Sequence, residues 1–256
     1  MPSRGVFITG ASSGLGAALA RRYAADDRVV GLFARRRAQL DAVAAALPAG
    51  RTAVYEGDVR DADALAHAAA DFIGRFGAPE VVIANAGISR GALTEREEDL
   101  PTFRAVFDTN VLGLVHTFRP FIASMQAAGG GALVGIASIA GFRGLPGSGP
   151  YSASKAAAIA YLESLRVEQR DTGVAVLTVC PGYIATAMTE RNPYPMPFLL
   201  SADEAARRVV RAIERRTRFY VLPWPMAIVG RVLGLLPRPI YDALFAHAPR
   251  KPRQPG

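Results

Sequence analysis

Tyr151 and Lys155 stand four residues apart in Tyr151-Ser-Ala-Ser-Lys155, and Ser138 lies thirteen residues upstream. On a helix this spacing puts both side chains on one face, one turn apart, with the ammonium beneath the phenol. A phenol with its ordinary pKa of about 10 is a poor acid or base near neutrality. A cationic neighbour favours the phenolate, each unit of depression being worth about 1.36 kcal/mol. Such a pair with a hydroxyl close by suits proton exchange with a carbonyl oxygen. The lysine is informative because the chain has only two, Lys155 and Lys251, among 30 basic residues. Arginine's planar fork would not replace a compact ammonium in that place.

Short apolar or β-branched runs at 5–9, 28–34, 52–56, 81–84, 132–137 and 174–180 suit strands buried on both faces, and 219–222 offers a seventh. Alanine-rich or periodic stretches at 14–25, 37–47, 61–76, 100–126, 151–171 and 202–216 have helix length. This alternation predicts an α/β fold, a doubly wound parallel sheet of about seven strands flanked by helices and joined by right-handed crossovers. The proline-containing segments 189–197 and 223–225 read as loops. With 256 residues, half of them apolar, the chain is expected to form one domain. Its core would be 1–222, with a lid near 183–200 and an apolar, basic helical extension over 223–256.

Gly10, Gly14 and Gly16 fall between the first strand and its helix. A tight turn there exposes backbone amides and a helix N-terminus to a pyrophosphate, so a dinucleotide site is expected around Gly10, Ser12, Ser13, Gly14, Leu15 and Gly16. Asp58, followed by Val59, is placed to accept from an adenine amino group, and Asn85-Ala86-Gly87 to pack around the adenosine. An acid at the end of the second strand would take the ribose 2′-hydroxyl of NAD, but the residues are Ala34-Arg35-Arg36-Arg37. Arg35 and Arg36 therefore favour a 2′-phosphate and NADP(H), with NAD(H) as the alternative.

The ordered set Thr9-Gly10-(x)3-Gly14-x-Gly16, Asn85-Ala-Gly, Asn110, Ser138, Tyr151-(x)3-Lys155 and Pro181-Gly182 resembles the classical short-chain dehydrogenases/reductases over about the first 220 residues. Where that family often carries two asparagines before Ala-Gly, the first is Ala84 here. The resemblance implies a Rossmann-like sheet and reversible alcohol–carbonyl conversion with NAD(H) or NADP(H), the B face of the nicotinamide being exposed. It also implies homodimers or homotetramers built on the long helices near 100–126 and 151–171. Asn110, Ser138, Tyr151 and Lys155 would be catalytic. Tyr151 would act as general acid and base, and Ser138 would hold the oxygen. Lys155 would lower the phenol's pKa and bind the nicotinamide ribose, and Asn110 would interrupt its helix and hold a water linked to the lysine. Pro181, Gly182, Ile184 and Thr186 would border the nicotinamide, alongside Tyr151 and Lys155.

Residues 1–206 hold nineteen basic and twenty acidic side chains, and residues 207–256 hold eleven and two, so the whole excess of the +8 net charge is C-terminal. There, 219–236 is apolar except for Arg231. Two prolines and a charge argue against a spanning helix. Two readings stay open: peripheral contact with a membrane's inner face, or a structural role covering the sheet edge, the substrate pocket or a subunit contact. The charge is interleaved with apolar runs and carries no nucleic-acid module, so no nucleic-acid partner is expected. Cys180 is the only cysteine and three histidines are scattered, which leaves no disulfide or metal pattern. No leader is expected before the first strand, and the expected location is cytoplasmic. Met188, Tyr194, Met196, Phe198, Leu199 and Leu200 in the lid, with Phe142 and Leu145, either line a pocket for a bulky apolar or lipid-like ketone or pack the lid onto the body. A 3-oxoacyl group on an acidic carrier is the alternative substrate, and a non-enzymatic NADP-binding sensor is the alternative class.

Overall fold

The computed structural model describes residues 5–26, 28–190, 192 and 194–253. Seven parallel strands form the main sheet: β1 (Gly5–Thr9), β2 (Val29–Ala34), β3 (Thr52–Glu56), β4 (Val81–Ala84), β5 (Gly131–Ile136), β6 (Val174–Pro181) and β9 (Phe219–Leu222), in the order β3-β2-β1-β4-β5-β6-β9. The winding direction reverses between β1 and β4, which opens a crevice at the strands' C-terminal ends. A separate pair, β7 (Ile184–Ala185) with β8 (Leu200–Ser201), closes the base of the lid segment.

Side chains alternate across the sheet. Val6 and Ile8 face one core, shared with α1 (Gly14–Ala25), α2 (Arg37–Ala45) and α7 (Ala202–Glu214). Phe7 faces the other, shared with α3 (Ala62–Phe76), α5 (Gly113–Ala127) and α6 (Gly149–Glu168), where its ring meets Phe72 edge-on at 5.6 Å. Helix starts follow local chemistry: the Asp61 carboxylate accepts from Asp63 N and Ala64 N, and the Ser201 hydroxyl accepts from Glu204 N.

Two elements differ from what the residue pattern alone suggests, the first being the interruption at Asn110 that the family resemblance implied. The stretch 100–126 is not one helix: α4 (Leu100–Phe107) passes through a π-helical turn, Asp108–Leu112, into α5. The widened turn is compensated by the side chain of Asn110, whose bonds leave the helix altogether. Residues 224 and 225 are not loop but the start of α8 (Trp224–Leu235), because a proline in the first turn lacks only an N–H that has no intrahelical partner.

The C-terminal extension turns back onto the body. Met226 and Gly230 of α8 are buried, Gly230 against the Phe142 ring, which also stacks on Phe219 with centroids 6.0 Å apart. Tyr241 of α9 (Arg238–Phe245) donates its hydroxyl to Gly144 O beneath the Arg143 guanidinium, 4.4 Å from the ring centroid. Lys251 and Arg253 then reach the segment after β4. Lys251 Nζ donates to Ser89 Oγ at 2.8 Å, and Arg253 forks onto the buried Asp99 at 2.8 and 3.1 Å and onto Glu98 at 2.8 Å. The Arg253 hydrogen bonds, then the Leu93 N–H, hold the Asp99 carboxyl below its ordinary range.

That pair gives a pH-dependent prediction. Because Asp99 has its pKa lowered in the fold, the stabilisation is present above the unfolded value of about 3.9 and is lost as pH falls through the folded value. Arg253→Ala should lower the melting temperature at pH 7, with the gap from the parent narrowing below about pH 4. Equal melting temperatures at pH 7 would show that the strap contributes nothing.

Candidate functional site

The strand ends open onto one cavity of about 280 Å³ that extends from the β1–α1 turn and the end of β2 to the N-terminal part of α6. Ser12, Ser13, Gly14 and Leu15 line one end together with Gly10, whose φ of +67° is a left-handed conformation suited to glycine. A Cβ on Gly10 would come within 2.8 Å of Ala86 Cα, so the bare backbone is what lets the turn lie against the end of β4. Asn85 fastens that junction by donating Nδ2 to Thr9 O at 3.0 Å and Gly10 O at 3.2 Å, while its N–H donates to Thr9 Oγ1. Asn85 supplies these bonds although Ala84 replaces the first asparagine. Gly16 packs against the Gly10 carbonyl and Asn85 and does not line the cavity.

Arg35 and Arg36 both reach the cavity. Arg36 Nη2 donates to Ser13 Oγ at 3.1 Å and Ser12 Oγ at 3.3 Å, and Arg35 lies 3.8 Å from Asp58. Arg37 points elsewhere, paired with Asp41. Asp58 and Val59 form the opposite wall. Burial pushes the Asp58 carboxyl up, but the hydrogen bonds and charge of Arg60, with the charge of Arg35, outweigh it and leave the group anionic below its ordinary range.

At the far end, Ser138, Tyr151 and Lys155 converge with Pro181, Gly182, Ile184 and Thr186, and Asn85, Ala86 and Gly87 line the stretch from the Gly10 turn to Lys155. Lys155 is 5% exposed; its Nζ donates to Ile136 O at 2.7 Å and lies 5.9 Å from the Tyr151 ring centroid. Burial lowers its pKa to about 8. Burial also raises the Tyr151 phenol, with the Ser138 hydroxyl pulling in the opposite direction. The lowering of the phenol by Lys155 expected from the spacing is thus not what the structure gives. The ammonium faces a backbone carbonyl and desolvation dominates both groups. Cys180 nearby is pushed up to about 12 by burial and stays a neutral thiol.

Asn110 stands behind the cavity wall and holds it. Its Oδ1 accepts from Ile88 N at 2.8 Å, and its Nδ2 donates to Ile88 O at 3.0 Å and Ser154 Oγ at 3.0 Å; Ser154 Oγ in turn donates to Tyr151 O at 2.8 Å. Ser154 and Ile88 were not singled out in the sequence. Nothing local pairs them with position 110, since the contacts cross 44 and 22 residues. Ser138 Oγ accepts from Ala140 N at 3.1 Å, fixing the turn after β5. In the lid, Met188 and Thr189 reach the cavity, and Thr189 Oγ1 donates to Ile184 O and Thr186 O at 2.6 and 2.9 Å. Phe142 and Leu145 do not line it; Phe142 is committed to α8 and β9. Tyr194 leans on Tyr183, and Phe198 and Leu199 are exposed. Lid residues 191 and 193 lie outside the described residues.

Residues 4–195 match the family model for short chain dehydrogenase. The chain belongs to the short-chain dehydrogenase family. An uncharacterized oxidoreductase of Myxococcus xanthus is 38% identical over 247 residues, 95% of this chain and 96% of that protein. Ketoacyl reductase HetN of a Nostoc species is 35% identical over 221 residues, covering 83% and 76%. A short chain dehydrogenase from Burkholderia cenocepacia, solved in complex with NADP, superposes with a TM-score of 0.82 at 27% identity over 96% of this chain and 98% of the other. The protein is accordingly a short-chain oxidoreductase with a Rossmann-like fold.

Asn110→Ala would leave the Ile88 N–H and carbonyl without partners. It should reduce unfolding free energy by roughly 1–3 kcal/mol in urea denaturation, the usual cost of stranding buried polar groups. An unchanged value would mean that the three bonds are replaceable.

Proposed function

We propose that this protein interconverts a ketone or aldehyde with the corresponding alcohol using NADP(H), on a bulky apolar substrate. The observation that carries the reading is a single cavity with two arginines at one end and Tyr151, Ser138 and Lys155 at the other. Its walls fit a dinucleotide. The Gly10 turn has no room for a side chain, Arg36 is already hydrogen-bonded to the Ser12 and Ser13 hydroxyls, and no carboxylate stands at the end of β2. Ser12, Ser13, Gly14 and Leu15 would hold the pyrophosphate, Arg35 and Arg36 a 2′-phosphate, Asp58 and Val59 the adenine, and Asn85, Ala86 and Gly87 the adenosine. Lys155, Pro181, Gly182, Ile184 and Thr186 would border the nicotinamide and its ribose. When bound, the reduced cofactor supplies the hydride for the carbonyl carbon.

The protein's own share is proton handling and orientation. Tyr151 delivers its phenolic proton to the substrate oxygen, and Ser138 donates a hydrogen bond to that oxygen as charge develops. The high phenol pKa keeps the proton on Tyr151 at neutral pH in the reductive direction. Lys155, cationic below about pH 8 and held on Ile136 O, would bind the nicotinamide ribose. Asn110 and Ser154 position the helix turn that carries Tyr151.

The apolar lid residue Met188 at the cavity supports a bulky apolar substrate. A ketoacyl thioester on an acidic carrier is the second substrate reading, favoured by the likeness to ketoacyl reductase HetN. Exposed Leu100, Phe107 and Leu112 on the α4–α5 path and Val167 on α6 support a homodimer or homotetramer built through those helices. A cytoplasmic location accompanies this reading.

Tyr151→Phe should cut turnover by about 10²–10⁴-fold while NADPH affinity is retained; unchanged turnover would remove Tyr151 as the acid. Arg35→Asp should raise the Michaelis constant for NADPH by about tenfold or more and leave that for NADH little changed, and equal effects would reject the 2′-phosphate assignment.

A further inference from the structure

Helix α8 is apolar on both sides, although only one side is packed. Met226 and Gly230 face inward, Met226 against Gly182 and Gly230 against Phe142. On the opposite side Trp224, Ile228, Val232 and Leu235 recur at helical spacing, 71%, 54%, 54% and 85% exposed. On α9, Ile240 and Leu244 stand one turn apart and are 51% and 65% exposed. Helices with apolar residues all round are otherwise found in cores or in lipid, and an apolar surface of this extent marks a contact site.

The charge around it selects the occupant. From residue 223 onward the chain carries Arg231, Arg238, Arg250, Lys251 and Arg253 against the single acid Asp242. Lys251 and Arg253 are engaged by Ser89 and by Glu98 and Asp99, whereas Arg231 and Arg238 form no ion pair among the described residues. At 3.6 residues per turn Arg231 falls beside the row of Trp224, Ile228 and Leu235, so its guanidinium borders the apolar surface. A two-fold contact with a second copy would bring like charges together, and Asp242 alone would answer them. An apolar surface edged with unpaired arginines instead complements an anionic lipid layer. The geometry also fixes the mode. With 12 residues α8 is about 18 Å long, short of a hydrocarbon core of about 30 Å, and among the described residues no helix is long and apolar enough to cross a membrane.

We propose that α8 and α9 dock this protein flat onto an anionic lipid surface. Trp224, Ile228, Val232 and Leu235 enter the headgroup boundary, and Arg231 and Arg238 meet lipid phosphates. The inference uses neither cofactor nor turnover, so it stands or falls separately from the catalytic reading.

Trp224 is the only tryptophan, which makes the full chain its own reporter. The test titrates it with phosphatidylcholine vesicles, with and without phosphatidylglycerol, reading tryptophan emission and co-sedimentation. The expected result is a blue shift and co-sedimentation with phosphatidylglycerol-containing vesicles, weakened by high salt. Ile228→Glu with Leu235→Glu, at exposed positions, should weaken partitioning by more than about tenfold while the melting temperature holds. No response to phosphatidylglycerol vesicles would overturn the proposal, as would an equal response from the double variant. So would a lipid-free blue shift that grows with protein concentration, accompanied by a doubled mass that Leu235→Glu removes, because a second copy would then cover the face.

Discussion

A lysine ammonium is confined to a buried site with one backbone carbonyl as its hydrogen-bond partner, Lys155 Nζ on Ile136 O at 2.7 Å. Burying such a charge is unfavourable, which is why its pKa falls to about 8, and the surrounding structure is arranged around keeping it there. Ile136 is the last residue of β5, so the sheet itself provides the acceptor. Gly87 leaves the space: a Cβ there would come 3.2 Å from Asn110 Oδ1 and 3.5 Å from Lys155 Nζ. The π-helical turn then turns Asn110 towards Ile88 and Ser154, and Ser154 ties back to the Tyr151 carbonyl. Sheet, interrupted helix and α6 therefore meet at one electrostatic problem.

The other end of the cavity works by close approach. Thr9 to Gly10 can sit against the end of β4 because Gly10 has no side chain, and Asn85 bonds both of their carbonyls. Both ends lie at the point where the winding of the sheet reverses, where helices diverge and leave a crevice. A long ligand can thus be gripped at its anionic end and presented at its reactive end without either end moving the strands. The C-terminal extension braces the site from behind, since Met226 of α8 packs against Gly182 and Lys251 bonds Ser89, next to Ile88.

Much of this was legible in the sequence because it is local. Strands β1 and β4 lie in short apolar runs, β3 in a β-branched and aromatic one, and helix α1 in an alanine-rich one, and their boundaries follow from these runs. The glycine turn, Arg35, Arg36 and the Tyr151–Lys155 pair announce themselves by spacing, and the cavity gathers them. What the sequence hid depends on partners far along the chain. The interruption at Asn110 was implied by the family resemblance, but not its partners Ile88 and Ser154. Phe142 looks like a pocket residue until Gly230 and Phe219 claim it. The proton affinity of Tyr151 misled for a related reason: helical spacing fixes the nearness of Lys155, but not the burial of both groups or the carbonyl that the ammonium chooses.

Our reading is that these residues do chemistry as well as bind a nucleotide. Its most direct test mixes the purified protein with NADPH and a panel of bulky apolar ketones and follows the absorbance of the reduced cofactor. Oxidation of NADPH is expected with at least one ketone class, at a rate proportional to enzyme. Tight NADPH binding without oxidation across a broad panel would contradict it and leave a nucleotide sensor built on the same fold.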